Sequence, residues 1–75
     1  MGFSDITLLK AWARADGKCE SCGKTLAWSN HEEGEWGAWE AHHIKAQKDG
    51  GENTLSNCKI LCLDCHKKTK SDGSH

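Results

Sequence analysis

The sequence lacks proline and tyrosine altogether, and it contains a single phenylalanine among its 75 residues. No apolar run approaches the ~18 residues of a membrane span, so we expect no membrane contact. The formal net charge is −1, which excludes a strongly basic protein that binds any polyanion. We expect one domain over residues 1–75. A chain this short buries only about 60% of its unfolded surface, so it usually needs disulfides or a bound metal ion to stabilise the fold besides its core.

The first residues also lack the features of a secretory signal. Met1–Asp5 contains no basic region followed by a continuous apolar stretch, so we expect a cytoplasmic protein. In a reducing compartment, paired cysteines hold metal more often than they form disulfides. The five cysteines and five histidines are therefore the expected source of the missing stability.

Two Cys-x-x-Cys pairs, Cys19–Cys22 and Cys62–Cys65, are the strongest pattern. Two residues between thiols let both sulfurs reach one ion at ~2.3 Å, and two such pairs complete a tetrahedron. The pattern predicts a structural zinc ion on Cys19, Cys22, Cys62 and Cys65. A redox dithiol at either pair is the less favoured alternative, because neither pair follows a βαβ pattern. The remaining thiol, Cys58, lies in an apolar run and is predicted to be a buried small side chain.

The chain is predicted to begin with a helix over about residues 4–15. Ser4 or Asp5 would cap its N-terminus, and Gly17 lies just beyond its end. Apolar residues that recur at helical spacing are expected to form the face toward the core: Leu8, Leu9, Trp12 and Ala13.

The rest of the chain predicts two strands and a second helix, which gives an α+β fold. The strands are expected over residues 35–44 and 55–61, on either side of a loop in which Gly50 and Gly51 favour a turn. A short helix is expected over residues 63–70, directly after the second cysteine pair. Residues 25–28 are a candidate for a further short strand.

Four tryptophans stand in this short chain: Trp12, Trp28, Trp36 and Trp39. Aromatic side chains between basic residues can stack on nucleic-acid bases. These four lie mostly away from the lysines, however, and a small domain needs large apolar groups in its core. We therefore expect them to be core residues.

Charge is distributed unevenly along the chain. Residues 1–40 contain four basic and seven acidic side chains, whereas residues 41–75 contain six and four. Any contact with nucleic acid is therefore expected in the second half, whose basic residues are all lysine and so favour phosphate contacts over base reading. The predicted contacts are Lys45, Lys48, Lys59, Lys67, Lys68 and Lys70.

The second half also contains a histidine pair, His42-His43, then Asn57, then His66 directly after the last cysteine. Fourteen residues separate His42 from Asn57, and eight separate Asn57 from His66. In this order and spacing the chain resembles the HNH endonuclease family, specifically the small members braced by two Cys-x-x-Cys pairs. The resemblance covers about residues 40–69, and with the first cysteine pair it reaches back to about Asp16.

The resemblance implies a ββα-metal fold that hydrolyses phosphodiester bonds of DNA. His42 matches the first metal-ligand position and His66 matches the ligand on the helix. His43 matches the general base, and Asn57 matches the asparagine that holds the loop and the base in place. The catalytic ion would be Mg, Mn, Ni, Co or Zn.

The chain departs from the family pattern at two positions. Ala46 stands where relatives often have proline, and Lys70 stands where many have another histidine ligand. The resemblance is therefore to a site with two protein ligands for the ion, His42 and His66.

Elementary chemistry supports the division of roles within the histidine pair. Phosphodiester hydrolysis needs a base that deprotonates water and a cation against the developing charge. An imidazole with an ordinary pKa of ~6.5 is neutral enough at pH 7 to accept that proton. Since neighbours on a strand point to opposite faces, His42 and His43 are expected to differ in role, with an irregular strand end between them.

The cysteine pairs and the histidine–asparagine pattern are compatible with two classes of function. The first is a metal-dependent DNA endonuclease or nicking enzyme of a bacterial or phage cytoplasm, with DNA as partner. A phage terminase or another DNA-processing protein is a candidate second partner that would supply specificity. The alternative is a non-catalytic zinc-ribbon module that binds nucleic acid or protein, which would have no use for three histidines and an asparagine together.

Overall fold

A computed structural model describes residues 3–69. Its elements confirm the α+β prediction, with one helix before a two-stranded sheet and one after it. Two short 3-10 turns lie in the connection between the strands. In chain order the elements are α1 (Asp5–Ala15), β1 (Trp39–His43), 3-10 turns at Gln47–Asp49 and Leu55–Asn57, β2 (Cys58–Cys62) and α2 (Leu63–Thr69).

α1 begins and ends as its capping residues dictate. The Ser4 side chain accepts a hydrogen bond from the Thr7 N–H at 3.2 Å, which satisfies one of the unpaired donors of the first turn. Asp16 adopts a left-handed conformation with φ 57°, and its N–H closes the helix by donating to Ala13 O. The predicted helix and its serine cap are confirmed.

The buried face of α1 differs from the predicted one. Leu9 is 55% exposed and Ala13 is exposed, so neither belongs to the core. The stripe that packs inward has spacings of three, one and three residues, as one side of a 3.6-residue helix requires. It consists of Leu8, Ala11, Trp12 and Ala15.

β1 and β2 pair antiparallel, in a register that runs from Trp39 opposite Cys62 to His43 opposite Cys58. Both strands are shorter than predicted. The chain before Trp39 turns because Gly34 and Gly37 have positive φ values of 90° and 68°, a conformation that favours glycine. The residues before Cys58 form a 3-10 turn instead of continuing the strand.

Residues 25–28 do not form the short strand that was expected. Thr25 alone is paired, in an isolated antiparallel bridge with Lys18. The following backbone instead lies against Gly37, where an added Cβ would stand 2.6 Å from Ala27 N. A glycine is required there because the two backbones approach so closely.

The core is small and is centred on Trp39 and Ile60, which are 1% and 0% exposed. The rings of Trp12 and Trp28 pack on Trp39, with centroids 5.0 and 5.4 Å away. Trp36 is 68% exposed, so the expectation that all four tryptophans are core residues is wrong for Trp36. Trp28 lies at the margin and is 42% exposed.

Arg14 and Glu20 connect α1, the first cysteine pair and β2. Arg14 donates from Nε and Nη2 to the two carboxylate oxygens of Glu20 at 2.9 and 2.5 Å, and from Nη2 to Cys58 O at 2.6 Å. Glu20 N–H donates to Ile60 O at 2.7 Å, and Ile60 N–H donates to Glu20 Oε1 at 2.8 Å. Glu20 thereby satisfies the edge of β2 that faces away from β1.

Within the described residues, neither helix has the length and apolar content that crossing a bilayer would require.

Candidate functional site

The two cysteine pairs converge at one point. The Sγ atoms of Cys19, Cys22, Cys62 and Cys65 all lie within 4.8 Å of one another, and those of Cys22 and Cys62 are 3.8 Å apart. Four sulfurs at ~2.3 Å from a tetrahedral ion stand ~3.8 Å from each other. The four predicted ligands therefore fit a single tetrahedral metal ion.

Backbone N–H groups surround the sulfurs of this cluster. Ser21 and Cys22 direct their N–H groups at Cys19 Sγ, at 3.4 and 3.5 Å, and the Cys65 N–H is 3.5 Å from Cys62 Sγ. Such donors stabilise a thiolate over a thiol. The hydrogen bonds to Cys19 and Cys62 therefore favour the ionised form of those two sulfurs, against the burial that opposes it.

The pKa values of the thiols diverge within the cluster. Although burial opposes it, hydrogen bonds from the backbone of Cys22, Cys62 and Ser21 lower the pKa of Cys19 to about 6. Burial, together with the neighbouring thiols, raises the pKa of Cys65 to about 12. Four thiolates repel one another, so a bound cation is what allows all four to ionise.

His42 on β1 and His66 on α2 face each other. Their ring centroids are 5.7 Å apart at an interplanar angle of 77°, and His42 Nδ1 is buried. Two imidazoles that bind one ion at ~2.1 Å have their centroids about 5–6 Å apart. The two rings are therefore close enough for one divalent cation to contact both.

A cavity of about 330 Å³ lies beside His42. His42, Lys59 and Thr69 contribute to its wall. Lys59 is the residue opposite His42 in the register of the sheet, so a cationic side chain stands beside the first histidine. Arg14 and Glu20 also line the cavity but pair with each other, so Lys59 leaves it with a positive charge that suits an anionic ligand such as a phosphate.

His43 has different surroundings from those of His42. Its Nε2 atom donates to Asn53 Oδ1 at 2.6 Å, and its ring stacks on Phe3 with centroids 4.1 Å apart. The irregular strand end expected between the two histidines is not found, because β1 pairs regularly through His43 and ends after it. The ordinary alternation of a strand is enough to separate the two side chains.

Asn57 closes the loop that follows the histidine pair. Its Nδ2 donates to Lys45 O at 3.0 Å and to Glu52 O at 2.9 Å, while its Oδ1 accepts from Lys45 N–H at 2.7 Å. The Asn57 backbone carbonyl also accepts from Ile44 N–H at 3.0 Å. One side chain thus holds both ends of the segment between β1 and the second 3-10 turn.

Ala46 lies inside this loop, at the position where the family pattern often has proline. Its φ of −60° and ψ of 145° lie within the range that proline imposes, and its side chain is buried. The loop keeps that backbone shape through the contacts of Asn57 and through the bond from Gly51 N–H to Ala46 O at 2.9 Å.

Three of the predicted nucleic-acid lysines line three different depressions: Lys59, Lys45 and Lys67. Lys59 lines the cavity beside His42, and Lys45 lies over the glycine turn, with Nζ 3.8 Å from the position of a Cβ on Gly50. Lys48 and Lys68 are exposed. Lys70 lies outside the described residues.

Lys67 forms an ion pair with Glu33. That pair lies in a second depression, which Glu35 and Asp64 also line. Carboxylates repel phosphate, so this side of α2 is the less favourable one for DNA.

Three features of this region escape the sequence analysis: Asn53, Phe3 and the pair Arg14–Glu20. Asn53 is one polar residue in a polar loop, and Phe3 precedes the first helix, so neither carries a pattern. Arg14 and Glu20 have opposite charges, but they are six residues apart, and only spacings of three or four residues predict an ion pair along a helix.

A family model described as HNH endonuclease matches residues 19–72 of the chain. The chain is also 33% identical over 63 residues to the type IV methyl-directed restriction enzyme EcoKMcrA of Escherichia coli (strain K12). That match covers 81% of this chain and 22% of the relative. The chain thus spans about a fifth of the length of the curated relative it matches.

Proposed function

Since this chain belongs to the HNH endonuclease family, we propose that it is a metal-dependent endonuclease that hydrolyses phosphodiester bonds of DNA. The observation that carries the proposal is the approach of His42 and His66, with ring centroids 5.7 Å apart, beside a cavity that Lys59 borders. A zinc-ribbon module that only binds has no need of two imidazoles outside its cysteine cluster.

His42 and His66 are the proposed ligands of the catalytic ion, which is Mg, Mn, Ni, Co or Zn. When bound, that ion supplies positive charge for the phosphate and for the leaving oxygen. The ammonium group of Lys59 would contact a phosphate of the bound DNA strand as a point charge. His43 would act as the general base and take the proton of the attacking water.

The four-cysteine cluster is proposed to hold zinc with a structural role. Cys65 and His66 are neighbours in the first turns of α2, which has only seven residues. A helix this short is not stable alone in water. Zinc on Cys62 and Cys65 would therefore fix the start of α2, and with it the position of His66.

DNA is the proposed substrate, bound weakly and with little sequence preference through the lysines. A phage terminase or another DNA-processing protein is the proposed source of specificity. A reducing cytoplasm, bacterial or phage-infected, suits a site of four free thiols. Detecting the chain in the cytoplasmic fraction of a cell lysate would check this location.

The test is cleavage of plasmid DNA by the zinc-loaded protein, with and without added Mg or Mn. His43→Ala should lower the cleavage rate on the order of 10²-fold or more while the catalytic ion and DNA still bind. His42→Ala and His66→Ala should weaken binding of the ion, so excess metal should restore part of their activity. His31→Ala is the matched control, because His31 lies outside the site; since its ring packs on Trp39 and its Nδ1 is 3.1 Å from Trp39 O, the melting temperature of this variant is measured as well.

Three results would contradict the proposal. Equal cleavage by wild type and all three site variants would identify the activity as contamination. Loss of the ion from His43→Ala with retention by His42→Ala would reverse the assigned roles. DNA binding without cleavage at any divalent metal would favour the zinc-ribbon alternative.

A further inference from the structure

We propose that Asn53 is a positioning residue for His43: its side-chain carbonyl fixes the tautomer and the orientation of the imidazole. This inference rests on the proposed function, because it concerns the general base of that reaction. Its starting observation is the 2.6 Å contact between His43 Nε2 and Asn53 Oδ1.

The contact determines which ring nitrogen carries the hydrogen. A side-chain amide oxygen accepts hydrogen bonds and has no hydrogen to give. His43 Nε2 must therefore be the donor, and the neutral ring has its lone pair on Nδ1. Only a nitrogen with a free lone pair can accept a proton from water, so Asn53 selects Nδ1 as the basic atom.

A second hydrogen bond holds the Asn53 oxygen. Gln47 Nε2 also donates to Asn53 Oδ1, at 3.1 Å. The Asn53 oxygen thus accepts two hydrogen bonds, from His43 and from Gln47, and together they hold the amide against rotation. Gln47 belongs to the first 3-10 turn, so the orientation of Asn53 is fixed by a different segment from the one that carries His43.

Phe3 restrains the remaining freedom of the ring. It stacks on His43 at an interplanar angle of 19° with centroids 4.1 Å apart. A face contact limits tilting, and the hydrogen bond at the ring edge limits rotation within the plane. Together they leave one orientation of the imidazole.

The loop itself does not depend on the Asn53 side chain. Asn57 bonds the backbone of Lys45 and Glu52, and Gly51 N–H bonds Ala46 O. The Asn53 side chain is exposed and makes its hydrogen bonds with His43 and Gln47 among the described residues. Its removal should therefore disturb the ring and leave the backbone in place.

The experiment compares Asn53→Leu with Asn53→Asp in the zinc-loaded chain of residues 1–75. Leucine has a similar size and no acceptor, whereas aspartate retains an acceptor oxygen. We expect Asn53→Leu to lower kcat about tenfold or more with KM for DNA unchanged. Asn53→Asp should retain a kcat close to that of wild type, with a higher KM because its charge repels DNA. Thr54→Ala, in the same loop, is the control.

A second readout does not require activity. Long-range ¹H–¹⁵N NMR spectra of the side chain distinguish the two neutral tautomers of a histidine. The wild type should show His43 protonated at Nε2, and Asn53→Leu should show a mixture of both forms. Melting temperature and zinc content should not differ between the variants.

The outcomes separate this inference from the proposed function. If wild type cuts DNA and Asn53→Leu has the same kcat, or if its tautomer matches that of wild type, the inference is wrong and the nuclease assignment stands. If Asn53→Asp loses as much kcat as Asn53→Leu, the acceptor oxygen is not what matters and the inference is also wrong. If wild type and His43→Ala cut DNA equally, the proposed function fails and the positioning role falls with it.

Discussion

Replacing Glu20 should destabilise the protein by removing the junction between the first cysteine pair and β2. Two substitutions separate the contribution of its ion pair with Arg14 from that of its hydrogen bond with Ile60 N–H. Glu20→Gln keeps an oxygen that can accept from Ile60 N–H and removes the charge opposite Arg14. Glu20→Ala removes both, and leaves the N–H of a residue that is 0% exposed without its acceptor.

The magnitudes follow from the burial of the two partners. The side chains of Arg14 and Glu20 are 40% and 19% exposed, so solvent screens the ion pair and Glu20→Gln should cost about 1 kcal/mol. An unsatisfied buried N–H costs about 1–3 kcal/mol more. Glu20→Ala should therefore cost about 2–4 kcal/mol in total.

The same pair predicts how stability varies with pH. Although burial opposes it, hydrogen bonds from Arg14 and from Ile60 N–H hold the pKa of Glu20 below its ordinary value. A lowered pKa in the folded state means that the stabilisation is complete above the pKa of the unfolded carboxyl, ~4.3. It is lost as the pH falls through the lower pKa of the folded state.

The assay is thermal unfolding at a fixed excess of free zinc, from pH 8 downward. For a domain of this size, 1 kcal/mol shifts the melting temperature by about 4–8 °C. Protonation of the thiols weakens zinc binding in every variant, so the informative quantity is the difference between wild type and Glu20→Gln. Glu32→Gln, an exposed carboxylate, controls for net charge.

Two results would refute this reasoning. A melting temperature for Glu20→Gln equal to that of Glu32→Gln at neutral pH would show that the ion pair contributes nothing. A difference from wild type that grows as the pH falls would show that the sign of the pKa shift is wrong.

Three further predictions concern the metal cluster, DNA binding and the loop. Cys62→Ser should lose zinc and cooperative folding, since structural zinc can contribute ~10 kcal/mol or more. Cys58→Ser should keep one zinc per chain. Native mass spectrometry that finds either variant folded without zinc would contradict these expectations. In electrophoretic shift assays, Lys59→Ala should reduce the magnitude of the slope of log association constant for DNA against log salt by about 0.9, and Lys67→Ala should reduce it by less. Equal slopes for the two variants would contradict this expectation. Gly51→Ala places a Cβ 1.8 Å from a backbone carbonyl, so it should reduce cleavage with zinc retained, and unchanged cleavage would exclude a role for this loop.

The metal cluster could be predicted from the sequence because its chemistry is local. Cys19 and Cys22 lie within one turn, as do Cys62 and Cys65, and two residues between thiols nearly determine how the sulfurs converge. The start of α1 was equally predictable, since Ser4 satisfies a donor only three residues away.

The contacts that depend on distant segments could not be predicted in this way. Arg14 reaches Cys58 O across 44 residues, and Asn53 reaches His43 only because Asn57 folds the loop back. The pattern of Leu8, Leu9, Trp12 and Ala13 has helical spacing, but the position of β2 decides which side of the helix is covered. Trp36 looked like a core residue by type, and the glycine turn before Trp39 leaves it outside.

The cysteine cluster and the candidate catalytic site meet around α2, which carries both Cys65 and His66, while His42 lies on β1, the strand that pairs with β2. β2 ends at Cys62, and its register sets Lys59 opposite His42 and Cys58 opposite His43. α2 begins after Cys62 and carries Cys65 and His66 side by side. A metal ion on the cluster would hold the end of β2 to the start of α2, and would thereby set His66 on α2 relative to His42 on the strand paired with β2. Zinc removal should therefore affect cleavage at least as strongly as it affects folding.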